Sequence, residues 1–576
     1  MKKILIAIAL LSISPYANAT DISYTIIENV SKKSASIVVN NIIKKTNYLC
    51  NLSTYKCEKT REQNTERIEN PLKKITLSFL EDRDENLAKA EKKQKDIKPP
   101  TTIPTPNPQK SYGKFTIPKK ATHVTISPDN KKIAYFLEEG DMVVTARKFV
   151  IKLDNGKKIE YSGTTNNLEL LRNYEELFAF TEDSSKLVYL DDRAGFAQLY
   201  LVDFKQKPKN LSGRQIIKKP YTVYDFAVKE EKVYYIANRQ EPNKWDLYSL
   251  GLNNNKLNTI SEDVMYTNKL TFTGDNLLFT ENERGTGVLK SFNIKEKKIK
   301  NFIGIEQEKV EIEKIIRENI FTENLKGILL KPDKNTDQKK TIIWLHGGPY
   351  RQASPLRHSW GSYTTYDWIL DEIVLAGITV LKLDYPGSMG YGKDYSLSLV
   401  NNIGVIDVKN VEEAIAYLNN LGLREIYLFG NSYGGYLALK GLTKLDSKLS
   451  GALAVAPVTD WQKLIEKVHP TPFEAYLRGI PNEKNQDIHD RSSVINNLEK
   501  ISKPIVLFHG ELDNQVPFSQ SEYLFKEAKS VGKNIQYYSI LGEKHVISGV
   551  SQNEAICKKV ADFIGIKSTE NICIME

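Results

Sequence analysis

From about residue 114 to residue 305, apolar and polar positions alternate in short stretches separated by polar turns, the period-2 pattern of half-buried strands. One phrase recurs. "TISPDNKKIAYF" (125–136) reads as strand, Pro-Asp-Asn turn, strand, and "FTEDSSKLVYL" (180–190) repeats it. "FAVKEEKVYYI" (226–236) and "LTFTGDNLLFT" (270–280) follow with the same grammar. Each unit runs to about 40 to 50 residues, a spacing that predicts propeller blades. Four units fall in this stretch, and a hairpin around residues 50–57 reads as the outer half of an earlier one. A β-sandwich of unrelated strands is the competing reading, and the shared phrase favours blades.

Beyond about residue 311 the pattern changes. "KTIIWLHG", "AGITVLKLDY", "REIYLFG", "GALAVAPV" and "KPIVLFHG" are near-continuous apolar runs, as central strands of a parallel sheet require. Between them lie helical periods such as "DVKNVEEAIAYLNNL" (407–421). Alternating strands and helices predict a doubly wound α/β domain. Residues 60–108 fit neither pattern. "LEDRDENLAKAEKKQKDIK" is charged and helix-prone and "PPTTIPTPNP" is a stiff linker, together predicting an exposed spacer, with a regulatory flap as the alternative.

At 576 residues the chain exceeds one hydrophobic core. The predicted layout is a signal peptide at 1–19, an N-terminal segment at 20–113 with a partial blade, charged insertion and Pro-rich linker, blades at 114–310, and the α/β domain at 311–576. The leader "MKKILIAIALLSISPYANA" has a basic start, an apolar run too short to span a bilayer, and small residues at Ala17 and Ala19. It predicts export, periplasmic or secreted, without a stable membrane anchor. The formal charge of +10 is spread along the chain, with no arginine/lysine stripe interleaved with aromatics, so nucleic acid is not an expected partner. Of the four cysteines, Cys50 and Cys57 would face each other across a hairpin, and Cys557 and Cys573 would tie the C-terminal tail to the last helix. No histidine lies at ligand spacing from a cysteine, which argues against a metal.

The candidate chemistry begins at Gly430-Asn431-Ser432-Tyr433-Gly434, a G-x-S-x-G pattern at the end of an apolar strand and the start of a helix. Such a turn is too sharp for β-carbons at its flanks and holds the serine hydroxyl out from the sheet. A serine nucleophile needs a base, and the base an orienting carboxylate. The order along the chain in this kind of domain is serine, acid, histidine. "PIVLFHGELDNQVP" ends a strand and supplies Asp513, with Glu511 as the rival acid. Among the seven histidines only His545, in "LGEKHVIS", lies beyond it, so the predicted triad is Ser432, Asp513 and His545. His509 sits at the strand end and reads as structural. Two amide donors must face the developing oxyanion. The backbone N–H of Tyr433 is one, and "WLHGGPY" supplies the other, the N–H of Gly348.

These motifs resemble the prolyl oligopeptidase (S9) family of serine peptidases: HGGP at 346–349, GNSYGG at 430–435, APVTDW at 456–461, HGELDNQVP at 509–517 and GEKH at 542–545. The resemblance covers roughly residues 311–563 in order and spacing; over the blades it rests on pattern alone. It implies an α/β-hydrolase domain behind an all-β propeller, cleavage of oligopeptides through an acyl-enzyme, and no cofactor. It further implies that Tyr433, Val458 and Trp461 line an apolar S1 slot, core packing being the competing role, and that His346 and Gln515 contact substrate.

His346 stands where dipeptidyl-peptidase relatives place a tyrosine, and HGGP is similar to the acylaminoacyl-peptidase branch instead. Gln515 replaces an asparagine of the dipeptidyl branch, and Pro386 stands where the family usually has arginine. Glu175 and Glu176 resemble the paired glutamates that grip a free N-terminus in dipeptidyl peptidases, with a solvated turn as the other reading. Two rival functions remain, an esterase and a silent propeller–hydrolase binding protein. P1 preference, endo- or exo-action, blade number and oligomeric state stay open.

Overall fold

A computed structural model describes residues 22–27, 36–41, 46–51, 54–62, 71–77, 111–112, 114–140, 144–166, 177–206, 213–265, 269–283, 286–302, 314–333, 339–356, 361–468, 471, 473–566 and 572–574. The leader, most of the 60–113 insertion, and Glu175 and Glu176 lie outside these residues.

The N-terminal half is a series of antiparallel sheets, each made of strands consecutive in the chain. The first contains Ile22–Ile27, Ser36–Asn41, Thr46–Asn51 and Lys56–Glu62. It is a complete four-stranded sheet where the sequence suggested only an outer hairpin. Among the described residues a two-stranded ribbon (Ser111–Tyr112 with Phe115–Thr116) and then four larger sheets follow, the last with five strands. The recurring phrase has a local cause. In the first copy Asp129 accepts from the Ser127 hydroxyl (2.5 Å) and the Lys131 N–H (3.0 Å). In the second, Asp183 accepts from Thr181 Oγ1 (2.7 Å) and the Ser185 N–H (3.0 Å). Each side chain therefore replaces backbone partners at a tight hairpin turn. Between neighbouring sheets an aromatic stack forms the core, with Phe149 4.5 Å from Tyr189 and Phe136 4.6 Å from Phe178.

The second half is built on one nine-stranded sheet. Its strands are β1 (Leu72–Lys74), β2 (Ile315–Phe321), β3 (Lys326–Pro332), β4 (Lys340–Leu345), β5 (Thr379–Leu383), β6 (Glu425–Asn431), β7 (Gly451–Val455), β8 (Ile505–Gly510) and β9 (Ile535–Ile540). In space they run β2-β3-β5-β4-β6-β7-β8-β9-β1, parallel from β5 to β9 and antiparallel at both edges. Helices α1 (Gly361–Leu375) and α5 (Val550–Ile564) cover one face, with α2 (Ile406–Asn420), α3 (Tyr433–Leu445) and α4 (Ser519–Ser530) on the other. Alternate residues of one strand feed the two cores. Ile343 and Leu345 of β4 pack toward α2 and α3, while Ile342 and Trp344 pack toward α1 and α5. The second of these cores runs on into Tyr224, Trp245 and Leu247, so the two halves share buried apolar surface.

Strand β1 corrects the reading of the insertion as an exposed spacer. Leu72, Lys73 and Lys74 pair antiparallel with Ile540, Ser539 and Tyr538, and the side chains of Leu72 and Ile75 are buried. Sheet edges left bare invite intermolecular pairing, and this short strand closes one.

Both disulfides form, Cys50–Cys57 across its hairpin and Cys557–Cys573 between α5 and the tail. The Cys573 N–H also donates to Glu372 of α1 (2.8 Å), so the second bridge pins the tail across two helices. For its sequence separation of 16 residues, loop closure gives about 3 kcal/mol. A Cys573→Ala variant is expected to lose that much in urea unfolding, and an unchanged midpoint would show the bridge to be idle.

Candidate active site

The strand order reverses beside β4, and the loops leaving the carboxyl ends of β4 and β6 meet there, where open α/β sheets form their crevice. At the end of β6 the chain turns into α3 through Ser432, whose φ of 55° and ψ of −120° lie outside the regions open to most residues. The flanking glycines are sterically required. A β-carbon on Gly434 would sit 1.9 Å from the Leu345 carbonyl oxygen, and one on Gly430 would sit 2.4 Å from the Gly434 backbone. The Ser432 N–H is fixed by the Val455 carbonyl (2.8 Å), which ties the elbow to β7.

Ser432 Oγ is 3.0 Å from His545 Nε2, and His545 Nδ1 is 2.7 Å from Asp513 Oδ2. The hydroxyl, the imidazole and the carboxylate come from three loops at one end of the sheet. Asp513 follows β8, and its other oxygen accepts the backbone N–H groups of Gln515 (2.9 Å) and Val516 (3.0 Å). Burial pulls its proton affinity up. The adjacent His545, with hydrogen bonds from His509 and His545, outweighs this and holds the carboxyl well below the usual carboxylate range. His545 sits in the loop between β9 and α5. Glu543 anchors that loop by accepting the N–H groups of Ser548 (3.0 Å) and Gly549 (2.8 Å) at the start of α5.

His509 packs beneath the acid, with Nε2 3.2 Å from Asp513 Oδ2 and Nδ1 2.7 Å from Ser521 Oγ. Glu511, the rival acid, is not the carboxylate at His545 Nδ1.

Tyr433 opens α3, so its N–H belongs to the first turn, which has no partner within the helix. Its ring is fully buried, with the hydroxyl donating to Asp407 Oδ2 (2.7 Å). The loop after β4 lies close against the serine: a β-carbon on Gly347 would come 3.1 Å from Ser432 Cβ. Gly348 follows with a φ of 122°, open only to glycine. Val458 and Trp461 are fully buried in the same cluster as Tyr433, Tyr436 and Phe473. The Trp461 ring centre lies 5.0 Å from that of Phe473 and 6.1 Å from that of Tyr433. Gln515 is exposed on the turn that holds Asp513.

His346 does not sit as a substrate contact. It is 3 % exposed, with Nδ1 2.8 Å from the Gly347 carbonyl oxygen and Nε2 3.0 Å from Ser388 Oγ. The Tyr385 ring stacks on it at 4.6 Å. A histidine between a strand and two glycines gives no sign in sequence of whether it faces the crevice or the interior. Asp384, Asp407, Glu543 and Asn243 were also missed. Each acts on a residue distant along the chain or through a turn, and nothing in the strand end at Asp384 or the helix start at Asp407 shows in sequence which partner the carboxylate meets. Among the described residues, no group of three or more histidines, cysteines and carboxylates has the geometry to hold a metal.

Residues 364–569 match the prolyl oligopeptidase family. Residues 159–285 match the N-terminal region of dipeptidyl peptidase IV. Acylamino-acid-releasing enzyme of Rattus norvegicus is 26% identical over 242 residues, covering 39% of this chain and 31% of that protein. Dipeptidyl peptidase 8 of Homo sapiens is 28% identical over 232 residues, covering 39% of this chain and 25% of that protein. The matched part thus spans less than a third of the length of these relatives.

Among solved structures, a puromycin-hydrolyzing peptidase of Mycobacterium tuberculosis superposes with a TM-score of 0.64 at 14% identity, over 94% of this chain and 86% of that one. The acylaminoacyl peptidase of Pyrococcus horikoshii gives 0.58 at 13% identity, over 95% and 94%. At such identities the likeness is one of fold. Residues 364–569 are therefore similar to the prolyl oligopeptidase (S9) family, and residues 159–285 before them to the N-terminal region of dipeptidyl peptidase IV.

Proposed function

We propose that the chain is an exported serine peptidase that hydrolyses short peptides through an acyl-enzyme on Ser432. The observation that carries this reading is the unbroken relay of 3.0 Å from Ser432 Oγ to His545 Nε2 and 2.7 Å from His545 Nδ1 to Asp513. In the proposed reaction His545 takes the serine proton as Oγ attacks the scissile carbonyl, then delivers it to the departing amine. The N–H groups of Tyr433 and Gly348 receive the oxyanion. Water repeats the cycle in reverse to release the acyl group.

Tyr433, Val458 and Trp461, fully buried beside the nucleophile, back an apolar S1 slot from the core. The names of the relatives, an acylamino-acid-releasing enzyme and a dipeptidyl peptidase, favour action near a peptide N-terminus. Successive four-stranded antiparallel sheets favour a β-propeller in front of the site, restricting entry to short or unfolded chains. Two disulfides favour an oxidising destination, in keeping with the leader.

A fluorophosphonate probe is expected to label the protein at one residue, with the adduct located on Ser432 by peptide mass spectrometry. An adduct elsewhere, or none, would remove the reading.

A further inference from the structure

The oxyanion loop is connected to the N-terminal domain through buried polar groups. His346 Nδ1 lies 2.8 Å from the Gly347 carbonyl oxygen, and a carbonyl can only accept, so this ring nitrogen is protonated and donates. That carbonyl belongs to the planar trans peptide whose other end is the Gly348 N–H. In such a unit the C=O and N–H point in opposite directions, so holding one aims the other. The imidazole therefore sets the direction of the oxyanion donor, in a loop so close to the nucleophile that a β-carbon on Gly347 would come 3.1 Å from Ser432 Cβ.

Something must hold the imidazole. Its Nε2 lies 3.0 Å from Ser388 Oγ, whose own proton goes to the Tyr385 carbonyl oxygen (2.7 Å), and 3.3 Å from Asp384 Oδ1, so this nitrogen also donates and the ring is held from both sides. Asp384 is fully buried, and its Oδ1 also accepts the Ala353 N–H (2.7 Å) just past the loop. Its second oxygen accepts from the Tyr391 hydroxyl (2.6 Å) and from Asn243 Nδ2 (2.9 Å). Asn243 lies in the N-terminal half, between the strands Lys232–Ala237 and Asp246–Gly251. It is itself 3 % exposed, lies with Oδ1 2.8 Å from the same Tyr391 hydroxyl and donates to the Ala353 carbonyl (3.1 Å). A buried carboxylate surrounded by fixed donors has little freedom, and removing one donor leaves a charged group short of a partner.

We propose that Asn243, supplied by the N-terminal domain, is a positioning residue for the oxyanion donor, acting through Asp384 and His346 on the Gly347–Gly348 peptide. This rests on the reading of Ser432 as nucleophile. It makes the N-terminal domain part of the catalytic machinery as well as a cover, because the donor is fully aimed only when the two halves are docked.

The test compares wild type, Asn243→Ala, His346→Phe and the double variant. Two quantities are measured: steady-state cleavage of a chromogenic peptide amide, and inhibition by a peptide boronic acid, whose tetrahedral adduct loads the oxyanion site. Loss of a whole oxyanion donor costs about 10²–10³ in kcat, so misaiming one is expected to cost about 10-fold, with KM within about twofold of wild type. Boronate affinity is expected to fall by the same factor. In the His346→Phe background the Asn243→Ala change is expected to add little, since the path is already cut.

Equal loss in both backgrounds overturns the proposal, as does a rise in KM with kcat unchanged, which marks Asn243 as part of substrate docking alone. If Asn243→Ala does not fold, Tyr391→Phe removes a neighbouring donor to Asp384 and is judged by the same criteria. A wild type that takes no fluorophosphonate and cleaves no amide overturns the nucleophile assignment and this proposal together. A labelled, active wild type whose Asn243→Ala variant keeps kcat and boronate affinity overturns this proposal alone.

Discussion

Ser432→Ala is expected to lower kcat for a peptide amide by about 10⁶-fold, with the fold and substrate binding intact. The substitution removes one oxygen. The β-carbon remains, so the close approach of the Gly347 loop to this position is unchanged, and so is the backbone N–H held by Val455. The positive φ at residue 432 is as costly for alanine as for serine, so the elbow is neither relieved nor further strained. What disappears is the only oxygen that His545 Nε2 reaches within the triad. A further His545→Ala change in the same chain is expected to add almost nothing, because every proton transfer by the base belongs to making or breaking the acyl-enzyme, which cannot form without Oγ. Active-site-titrated kinetics of the single and double variants check this. A Ser432→Ala protein retaining a tenth of wild-type turnover would end the acyl-enzyme mechanism.

The parts of this site that were legible in sequence are those whose cause is local. Gly430, Ser432 and Gly434 must be close in the chain, because strand, turn and helix are consecutive and the clearances are fixed by atoms within a few residues or on the adjacent strand. Asp513 was legible because the loop after β8 has to present it, and His545 because no other histidine follows that loop. The recurring strand–turn–strand phrase was legible for the same reason: the Asp129 and Asp183 turns are closed by residues two positions away.

The misread parts depend on distant partners. Leu72–Lys74 carries no strand signature of its own, being three residues between charged stretches. It becomes a strand because the edge of β9, more than 450 positions later, offers it backbone partners. His346 looked like a substrate contact because a motif reports order along the chain and not which way a ring turns. Its direction is set by Ser388, Tyr385 and Asp384 on the following loop. Asn243 was invisible altogether, since its contact with Asp384 spans 141 positions and joins two halves of different architecture.

The second large effect is at the acid. Asp513→Asn is expected to lower kcat by about 10⁴-fold, with KM nearly unchanged. The wild-type carboxylate only accepts, so it requires the proton of neutral His545 on Nδ1 and leaves Nε2 with a lone pair facing Ser432 Oγ at 3.0 Å. The carboxamide can keep its oxygen toward the Gln515 and Val516 N–H groups, as Oδ1 does now. That orientation turns the NH₂ toward His545 Nδ1, which must then accept. The imidazole proton moves to Nε2, and the group facing the serine becomes a donor that cannot take its proton. His509 cannot restore the acceptor, because its Nε2 lies 2.9 Å from the Val516 carbonyl oxygen and 3.2 Å from Asp513 itself. Glu511→Gln serves as the comparison and is expected to keep kcat within about threefold. The discriminating measurement is kcat for both variants at a pH where wild type is fully active. If Glu511→Gln suffers the large loss and Asp513→Asn does not, the carboxylate has been misassigned; if neither does, the base works without an orienting acid and the relay has no catalytic role.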